Sequence, residues 1–385
     1  MKVLIIGSGF AGYSVARELR QLDKQAEIVI ITQDDGCFYS KPFLSKAMTD
    51  KKTPEMLAMK SAAQFSEELN ADILNHAEVT TINTQSQQVF YHNDSGEHQQ
   101  HYDKLVLACG AETLKVPLNG DATEQVYQVN NLEDYRQFRT EIENKKHITL
   151  IGAGLIGCEF ANDLSNVDYQ IDVISLDQWP LPKLLPQAIG QVLQQALEKN
   201  GVRFHLSVEV STINHQEQQL SIQLSNGESI QTDVALAAIG LKPMTKLAEK
   251  AGIAIKRGIV TDQYLQTSAE NVYAIGDCAE VCDIIRQHIA PIRFSAASLA
   301  ATLAGNPSKI HYPAMAVGVK TPSYPLVICP PIFDQNGQWQ IDINDDNSVK
   351  ALHYDADQQL NGFILGGKTV AERSALEKQI AAWLA

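Results

Sequence analysis

The chain has 385 residues, of which 44% are hydrophobic and 20% are charged, so its composition is that of a folded globular protein and not of a disordered one. At about 150 residues per domain, this length predicts two or three domains. The 31 basic and 45 acidic residues give a net charge of −14, and no run of four basic residues occurs, which excludes the basic surface that a nucleic acid would need.

The cysteines and the N-terminus both indicate a cytoplasmic protein. Six cysteines, at positions 37, 109, 158, 278, 282 and 329, show neither CxxC spacing nor a zinc-type quartet, so we expect no metal site and no disulfide framework. No apolar stretch approaches the roughly 18 residues of a membrane span. The apolar run Val3–Ile6 is too short for a signal peptide, and it leads into glycines rather than a cleavage site.

The first element along the chain is a buried strand that runs into a glycine-rich turn. The apolar run Val3–Ile6 is typical of a parallel strand that is covered on both faces. Apolar residues then recur at helical spacing, and Ile28–Ile31 forms a second apolar run. The turn between the first strand and the helix reads Gly7-Ser8-Gly9-Phe10-Ala11-Gly12, so the segment is predicted to be a βαβ unit.

The same order of elements returns in the middle of the chain. Ile148–Ile151 leads into Gly152-Ala153-Gly154-Leu155-Ile156-Gly157, and a helical pattern and the apolar run Ile171–Ile174 follow. In such a turn the first glycine permits a tight bend, the second lets a diphosphate approach the backbone, and the third lets the helix pack on the strand. The N–H groups at the helix start favour negative charge. Two such units predict two dinucleotide sites.

The rest of the chain continues this pattern and then departs from it. Two further strand patterns, Tyr102–Ala111 and Asp233–Gly240, end at or near a glycine. From about residue 316 the composition shifts to proline, valine and aromatic residues in short alternating runs, which predicts an antiparallel sheet. An amphipathic pattern over Val370–Leu384 predicts a closing helix.

These motifs, in this order, resemble the two-dinucleotide flavoprotein pyridine nucleotide reductases with the glutathione-reductase-like fold. GSGFAG resembles their FAD loop, IGAGLIG their NAD loop, and Asn271–Ala279 the late FAD motif, in which an aspartate, here Asp277, binds the ribityl chain. The resemblance implies an α/β protein with two Rossmann-like dinucleotide-binding domains, for FAD and NAD, plus a small α+β C-terminal domain. It divides the chain into an FAD domain (1–110 and 241–315), an NAD domain (111–240) and a C-terminal domain (316–385).

The resemblance also assigns cofactor contacts to individual residues. For FAD these are Gly7, Gly9, Phe10, Ala11, Gly12, Thr32, Lys41, Pro42, Val79, Ala108, Gly110, Gly276, Asp277 and Lys320. For NAD they are Gly152, Gly154, Leu155, Ile156, Gly157, Ser175 and Gly240. Thr32 and Ser175 stand where an acidic residue ordinarily holds the ribose. Because the segment Ser175–Pro182 contains no Arg or Lys that could hold a 2′-phosphate, we predict NADH rather than NADPH.

The cysteine positions separate this chain from the disulfide reductases of the family. Those enzymes carry a cysteine pair beside the flavin, whereas here Cys37 stands alone before residue 109. Cys158 has the apolar setting of an inert buried thiol. We therefore expect electrons to leave the flavin directly, one at a time, for a small iron protein.

Two short segments narrow the resemblance. Tyr39–Lys46 reads YSKPFLSK and Val319–Pro322 reads VKTP, as in bacterial rubredoxin–NAD(+) reductases. This implies FAD and NADH as cofactors, rubredoxin as the partner, an oxygenase such as alkane hydroxylase downstream, and a monomer or weak dimer. It also implies a Lys46–Glu159 pair beside the flavin that orients hydride donor and acceptor. The alternative interpretation of that pair is an ordinary surface ion pair.

Other functions share much of this pattern. A flavorubredoxin or ferredoxin reductase has similar motifs, although ferredoxin reductases tend to carry a tryptophan where this chain has VKTP. A different class is an NADH-responsive flavin-binding redox sensor that forms a long-lived complex instead of turning over. An NADH oxidase or peroxidase is disfavoured, because Phe43–Lys46 contains no cysteine.

Lys320 is the third candidate catalytic residue, beside Lys46 and Glu159. It interrupts an apolar, strand-like run, and the following Thr-Pro keeps the backbone extended. We expect it to face the flavin from the acceptor side, where a cation raises the flavin potential; the alternative is an edge-strand lysine that prevents aggregation. Because the chain is acidic, rubredoxin would need a local basic patch, whose candidates are Lys41, Lys46, Arg286, Arg293 and Lys320.

Overall fold

The computed structural model describes residues 1–331 and 337–384. Its strands up to the middle of the chain are β1 (Lys2–Ile6), β2 (Glu27–Ile31), β3 (Asp72–Leu74), β4 (Glu78–Asn83), β5 (Gln88–Asn93), β6 (Gly96–His101), β7 (Lys104–Leu107), β8 (Ala111–Thr113), β9 (Val126–Tyr127), β10 (His147–Ile151), β11 (Gln170–Ser175) and β12 (Val202–Leu206). The later strands are β13 (Val210–Gln216), β14 (Gln219–Leu224), β15 (Ser229–Thr232), β16 (Val234–Ala237), β17 (Leu241–Pro243), β18 (Ile259–Thr261), β19 (Val272–Ala274), β20 (Ala279–Val281), β21 (Val317–Val319), β22 (Leu326–Cys329), β23 (Gln338–Ile343), β24 (Val349–Tyr354) and β25 (Leu360–Gly366).

The helices connect and cover these strands. They are α1 (Phe10–Leu22), α2 (Pro54–Leu57), α3 (Ala62–Leu69), α4 (Leu132–Glu141), α5 (Leu155–Ser165), α6 (Gln187–Lys199), α7 (Lys246–Lys250), α8 (Ile289–Leu303) and α9 (Arg373–Glu377). Short 3-10 helices span Lys41–Lys46, Thr123–Gln125, Gly276–Cys278 and Gly367–Glu372. No helix in the described ranges is long and apolar enough to cross a membrane.

Two five-stranded parallel sheets form the centres of the molecule. The first has the order β19-β7-β1-β2-β3 and the second the order β12-β11-β10-β16-β9. Val3, Leu4 and Ile5 of β1 are completely buried, as expected for a parallel strand that is covered on both faces. α1 and α8 pack against each other beside the first sheet. The two predicted Rossmann-like units are thereby confirmed.

The C-terminal strands form a third sheet that contacts both units. Its order is β21-β22-β25-β24-β23, and each pair of neighbours is antiparallel, as the sequence predicts. Alternate residues of β25 face opposite sides: Phe363 and Leu365 join the core of the first sheet, whereas Ile364 joins that of the second. The C-terminal sheet thus lies between the two predicted nucleotide units.

The predicted helix over Val370–Leu384 is wrong beyond its first turns. The structure has the 3-10 helix Gly367–Glu372 followed by α9, which ends at Glu377. Beyond it, Trp383 N–H donates to the carbonyl of Tyr312, and Tyr312 N–H donates to the carbonyl of Leu384. Because the backbone of the chain end pairs with a distant residue, it does not make helical hydrogen bonds.

The two segments that follow Gly110 and Gly240, which we call linkers, meet at one place. β8, which follows Gly110, pairs antiparallel with β17, which follows Gly240. Leu114 N–H donates to the carbonyl of Gly240, and Met244 N–H donates to that of Gly110. This pairing supports the predicted domain division, whose boundaries remain a prediction.

Candidate functional site

The glycine-rich turn after β1 has one glycine that no protein contact explains. Gly7 has φ +111°, and a Cβ there would lie 2.3 Å from the carbonyl oxygen of Ala108. A Cβ on Gly12 would lie 2.0 Å from the carbonyl oxygen of Gly7, so these two glycines are required by packing. A Cβ on Gly9 would meet no protein atom within 4 Å. The free space at Gly9 fits a ligand that approaches the backbone.

The turn after β10 repeats this geometry. Gly152 has φ +114°, and its Cβ would lie 2.6 Å from the carbonyl oxygen of Ala238, while that of Gly157 would lie 2.0 Å from the Gly152 oxygen. A Cβ on Gly154 would approach no described atom closer than 4.0 Å. Gly9 and Gly154 are also the N-caps of α1 and α5, and neither helix start receives a side-chain cap. Both turns therefore offer free N–H groups to a diphosphate.

Each unit places a carboxylate two residues beyond the predicted ribose position, Thr32 in the first unit and Ser175 in the second. In the first, the Thr32 hydroxyl donates to Asp34 at 2.7 Å. In the second, the Ser175 hydroxyl donates to Asp177 at 3.2 Å. Asp34 and Asp177 are both exposed, so they can still reach ribose hydroxyls. Thr32 and Ser175 stand at the positions where an acidic residue ordinarily holds the ribose. Each thus orients an acid that follows two residues later, Asp34 or Asp177.

Lys41 and Asp277, which are predicted separately, are both half-buried and lie close enough for their charges to interact. The Lys41 ammonium donates to Asn130 Oδ1 at 2.5 Å. Burial lowers the pKa of Lys41, and the charges of Asp277 and Asp134 oppose that shift. Burial raises the pKa of Asp277, and the charge of Lys41 acts in the opposite direction. Asn130 is a contact that the sequence analysis missed.

The predicted Lys46–Glu159 pair is wrong. The buried Glu159 carboxylate accepts from Lys320 Nζ at 2.5 Å, from Lys320 N–H at 3.0 Å and from the Ser45 hydroxyl at 2.7 Å. Lys46 turns outward and pairs with Asp50 at 3.2 Å, because the 3-10 helix Lys41–Lys46 directs Ser45 inward instead. Glu159 and Lys320, two candidate catalytic residues, are therefore in direct contact, and Lys320 is not a free edge-strand lysine.

Further polar side chains of α5 extend this contact. Asp163 accepts N–H bonds from Met48 and Thr49 at 3.1 and 2.7 Å. Asn162 bonds to Ser323, which follows Lys320 in the C-terminal segment. Glu159, Asn162 and Asp163 are spaced as i, i+3 and i+4, so they lie on one face of the helix. This polar helical spacing was the signal that the sequence analysis overlooked.

Comparison with known proteins places the chain in a family. The profile described as pyridine nucleotide-disulphide oxidoreductase matches residues 1–299. The chain belongs to this family. A second profile, described as a rubredoxin-binding C-terminal domain, matches residues 309–380.

Relatives match this oxidoreductase over nearly its whole length. The rubredoxin-NAD(+) reductase of Alcanivorax borkumensis is 41% identical and covers 99% of this chain and 98% of its own. A nitric oxide reductase FlRd-NAD(+) reductase of Aliivibrio fischeri is 35% identical over 99% of this chain and 98% of its own. The crystal structure of a ferredoxin reductase from Rhodopseudomonas palustris, 25% identical, superposes with a TM-score of 0.88 over 99% of this chain and 95% of its own.

The thiols of this oxidoreductase do not form a disulfide. All six cysteines are free. Burial raises the pKa of Cys158 to about 12, in agreement with an inert thiol. The buried Cys278 thiol donates to the carbonyls of Leu107 and Ile275, both at 3.4 Å, and its interaction with Cys109 raises the pKa of Cys109 and lowers that of Cys278. The spacing of cysteines along the chain does not predict this contact, because the pairing of β7 with β19 brings the two residues together.

The predicted basic patch is not a free surface. Lys41 is half-buried and donates to Asn130, Lys46 is paired with Asp50, and Lys320 is paired with Glu159. Arg286 is half-buried against Trp383. Of the five candidates, only Arg293 on α8 is exposed and without an ion pair in the described part of the chain.

Proposed function

We propose that this protein is an FAD-dependent oxidoreductase that takes hydride from NADH and passes the electrons singly to rubredoxin. The observation that carries the proposal is the rubredoxin-binding profile over residues 309–380, in a chain whose C-terminal sheet packs against both nucleotide units. The 41% identity to a rubredoxin-NAD(+) reductase over nearly the whole chain supports the same acceptor.

The first unit has the features that FAD requires. FAD, when bound, accepts a hydride and releases electrons one at a time. The Gly7–Gly12 turn and the start of α1 would hold its diphosphate, since Gly9 leaves room there. Asp277 would accept hydrogen bonds from ribityl hydroxyls, and the charge of Lys41 opposes the rise in the pKa of that carboxyl that burial causes.

The second unit fits NADH better than NADPH. The Gly152–Gly157 turn and the start of α5 would hold the NADH diphosphate. Asp177 would accept hydrogen bonds from the ribose hydroxyls, whereas a 2′-phosphate at the same place would be repelled. The segment Ser175–Pro182 contributes no compensating Arg or Lys.

Glu159 and Lys320 act together at the junction of the units. Because Glu159 lies two residues past Gly157, it is next to the turn that would hold NADH, and its bond to Lys320 ties that turn to the C-terminal sheet. The ion pair largely compensates the positive charge of Lys320. We therefore assign Lys320 to orienting the donor and acceptor units, and no longer to raising the flavin potential.

Organisation and location complete the proposal. The chain is divided into an FAD domain (1–110 and 241–315), an NAD domain (111–240) and a C-terminal domain (316–385), which the paired linkers β8 and β17 support. We place the protein, as a monomer or weak dimer, in the cytoplasm, whose reducing conditions suit the six free thiols.

The test is an electron-transfer assay with the purified holoprotein. NADH should bleach the flavin absorbance, and rubredoxin should restore it and sustain turnover at least about tenfold faster than ferredoxin does. Fast reduction of flavorubredoxin with no reduction of rubredoxin would favour the second candidate function, which the 35% identity to an FlRd-NAD(+) reductase supports. A stable long-wavelength absorbance without turnover would favour a redox sensor and contradict the proposal.

A further inference from the structure

Arg286 carries a positive charge that no described residue neutralises. Its guanidinium lies over the Trp383 ring, with Cζ 4.9 Å from the ring centroid. Its Nε–H is buried and has no acceptor, and no carboxylate of residues 1–331 or 337–384 lies within ion-pair distance of it. Burial lowers the pKa of Arg286, and the nearby Arg257 adds to that effect. Since a half-buried, unpaired cation is costly, a negative group from outside the chain would compensate it.

The surroundings of Arg286 include the predicted FAD turn. Arg286 lines one small cavity together with Gly276, Ile292 and Tyr312. Gly276 has φ +80° and begins the 3-10 turn that carries Asp277. The cation is therefore close to the place where the ribityl chain of FAD would be held.

The residues after Arg286 add hydrogen-bond donors to its surroundings. Gln287 Nε2 is also buried without an acceptor. His288 is the N-cap of α8, a helix of 15 residues that receives no side-chain cap. Burial and the charge of Arg286 lower the pKa of His288 to about 4, so that the imidazole is neutral at pH 7. The free N–H groups at the start of α8 therefore favour a negative group, as the Arg286 guanidinium does.

Trp383 fixes the position of the guanidinium. The backbone of Trp383 donates to the carbonyl of Tyr312, and the Tyr312 hydroxyl bonds to Ser295 Oγ of α8 at 2.7 Å. The end of the chain is thus attached to the helix at whose start Arg286 lies. An arginine on an indole face is held in place while its charge remains available.

We propose that Arg286, positioned by Trp383, directs its charge at the flavin ring of FAD and stabilises the flavin when it becomes negatively charged on reduction. The proposal rests on the proposed function only for the identity of the cofactor. The flavin ring, which is neutral when oxidised and can become anionic on reduction, belongs to the cofactor that the Asp277 turn would hold near this place. Lys320, whose charge is compensated by Glu159, cannot supply the same effect.

The test compares Arg286→Gln with Arg293→Gln, a matched exposed arginine on α8. Two readouts are measured on the holoprotein: the flavin midpoint potential, and the affinity of the oxidised flavin for sulfite, which adds as an anion and needs neither NADH nor rubredoxin. Arg286→Gln is expected to lower the midpoint potential and to weaken sulfite binding at least about tenfold. Arg286→Lys should retain most of the sulfite affinity. Arg293→Gln should change neither the potential nor the sulfite affinity.

Trp383 variants test the positioning role. Trp383→Leu is expected to weaken sulfite binding in the same direction as Arg286→Gln, and Trp383→Phe to have an intermediate effect. FAD content and thermal unfolding, measured on each variant, show that the comparison concerns folded holoprotein; if Trp383→Leu does not fold, the Arg286 and Trp383→Phe variants decide.

The outcomes separate this proposal from the proposed function. Unchanged potential and sulfite affinity in Arg286→Gln would overturn it, as would an equal effect in Arg293→Gln or an effect confined to the KM for rubredoxin. If wild-type protein binds FAD but reduces no rubredoxin, the proposed function fails while the sulfite result still decides the role of Arg286. A chain that binds no FAD would overturn both.

Discussion

Lys320 of the C-terminal segment and Glu159 of α5 form an ion pair of 2.5 Å in which the carboxylate is almost completely buried. The side chain of Lys320 is 23% exposed, and that of Glu159 is 2% exposed. The same carboxylate accepts from Ser45, so one buried charge joins segments from three predicted domains. Removing a partner of such a buried carboxylate destabilises the folded protein, because it leaves a buried charge without compensation.

Glu159→Gln should lower the free energy of unfolding by about 2 to 3 kcal/mol. This is less than the ~3–5 kcal/mol lost when a fully buried ion pair is broken, because Lys320 is partly exposed. The control is Lys46→Met, which removes a surface pair with Asp50 and should cost less than about 1 kcal/mol. Chemical denaturation measures both. The double variant Glu159→Gln/Lys320→Met should cost less than the sum of its single variants; additive costs would show that the pair contributes nothing.

Gly9→Ala and Gly12→Ala should fail in different ways. A Cβ at position 9 meets no protein atom, so this variant should fold with unchanged thermal stability as apoprotein but bind FAD at least about tenfold more weakly. A Cβ at position 12 would lie 2.0 Å from the Gly7 carbonyl oxygen, so that variant should be destabilised by several kcal/mol. Fluorescence titration of apoprotein with FAD, together with thermal unfolding, separates the two. Normal FAD affinity in Gly9→Ala would contradict the assignment of this turn.

Asp177→Arg should raise the ratio of kcat/KM for NADPH to that for NADH by at least about tenfold, because it replaces a repulsive carboxylate with a cation that can hold a 2′-phosphate. Wild-type protein should prefer NADH. Glu198→Arg, an exposed change on α6, is the control for the added charge and should leave the ratio unchanged. A wild-type ratio above one, measured with saturating acceptor, would refute the predicted preference.

Asp172 of β11 should make the NAD sheet sensitive to acid. Burial acts to raise its pKa, but hydrogen bonds from His147, His205 and Arg203 outweigh burial and lower the pKa to about 2. Because the folded pKa lies below the unfolded value of 3.8, the stabilisation is present above about pH 4 and is lost as the pH falls toward 2.

Asp172→Asn should therefore lower the free energy of unfolding at pH 7 by roughly 2 kcal/mol, and its cost should shrink toward pH 2. Asp346→Asn is a suitable control, since that carboxylate also has a pKa of about 2 but is paired at the surface with the exposed Lys368. Its loss of stability at pH 7 should be much smaller. Equal effects of the two substitutions would show that the burial of Asp172 is irrelevant.

The local pattern of the sequence was sufficient to predict the two glycine turns and the strands around them. A short, continuous apolar run such as Val3–Ile6 that is followed by a glycine turn favours a strand covered on both faces, and Gly7 and Gly152 adopt the positive φ that their turns require. The antiparallel C-terminal sheet is confirmed for the same reason, since alternation of apolar residues is a property of neighbouring residues.

Only the tertiary structure decided which side chains meet. The sequence predicts a pair of Glu159 with Lys46, but the turn of the 3-10 helix directs Ser45 inward and leaves the carboxylate to Lys320, 161 positions along the chain. The end of the chain likewise has a helical pattern, yet its backbone pairs with Tyr312 and brings Trp383 onto Arg286. In both places a local preference of a few tenths of a kcal/mol per residue is outweighed by a buried charge or a buried aromatic ring that requires a particular partner, and that partner is set by the packing of distant elements.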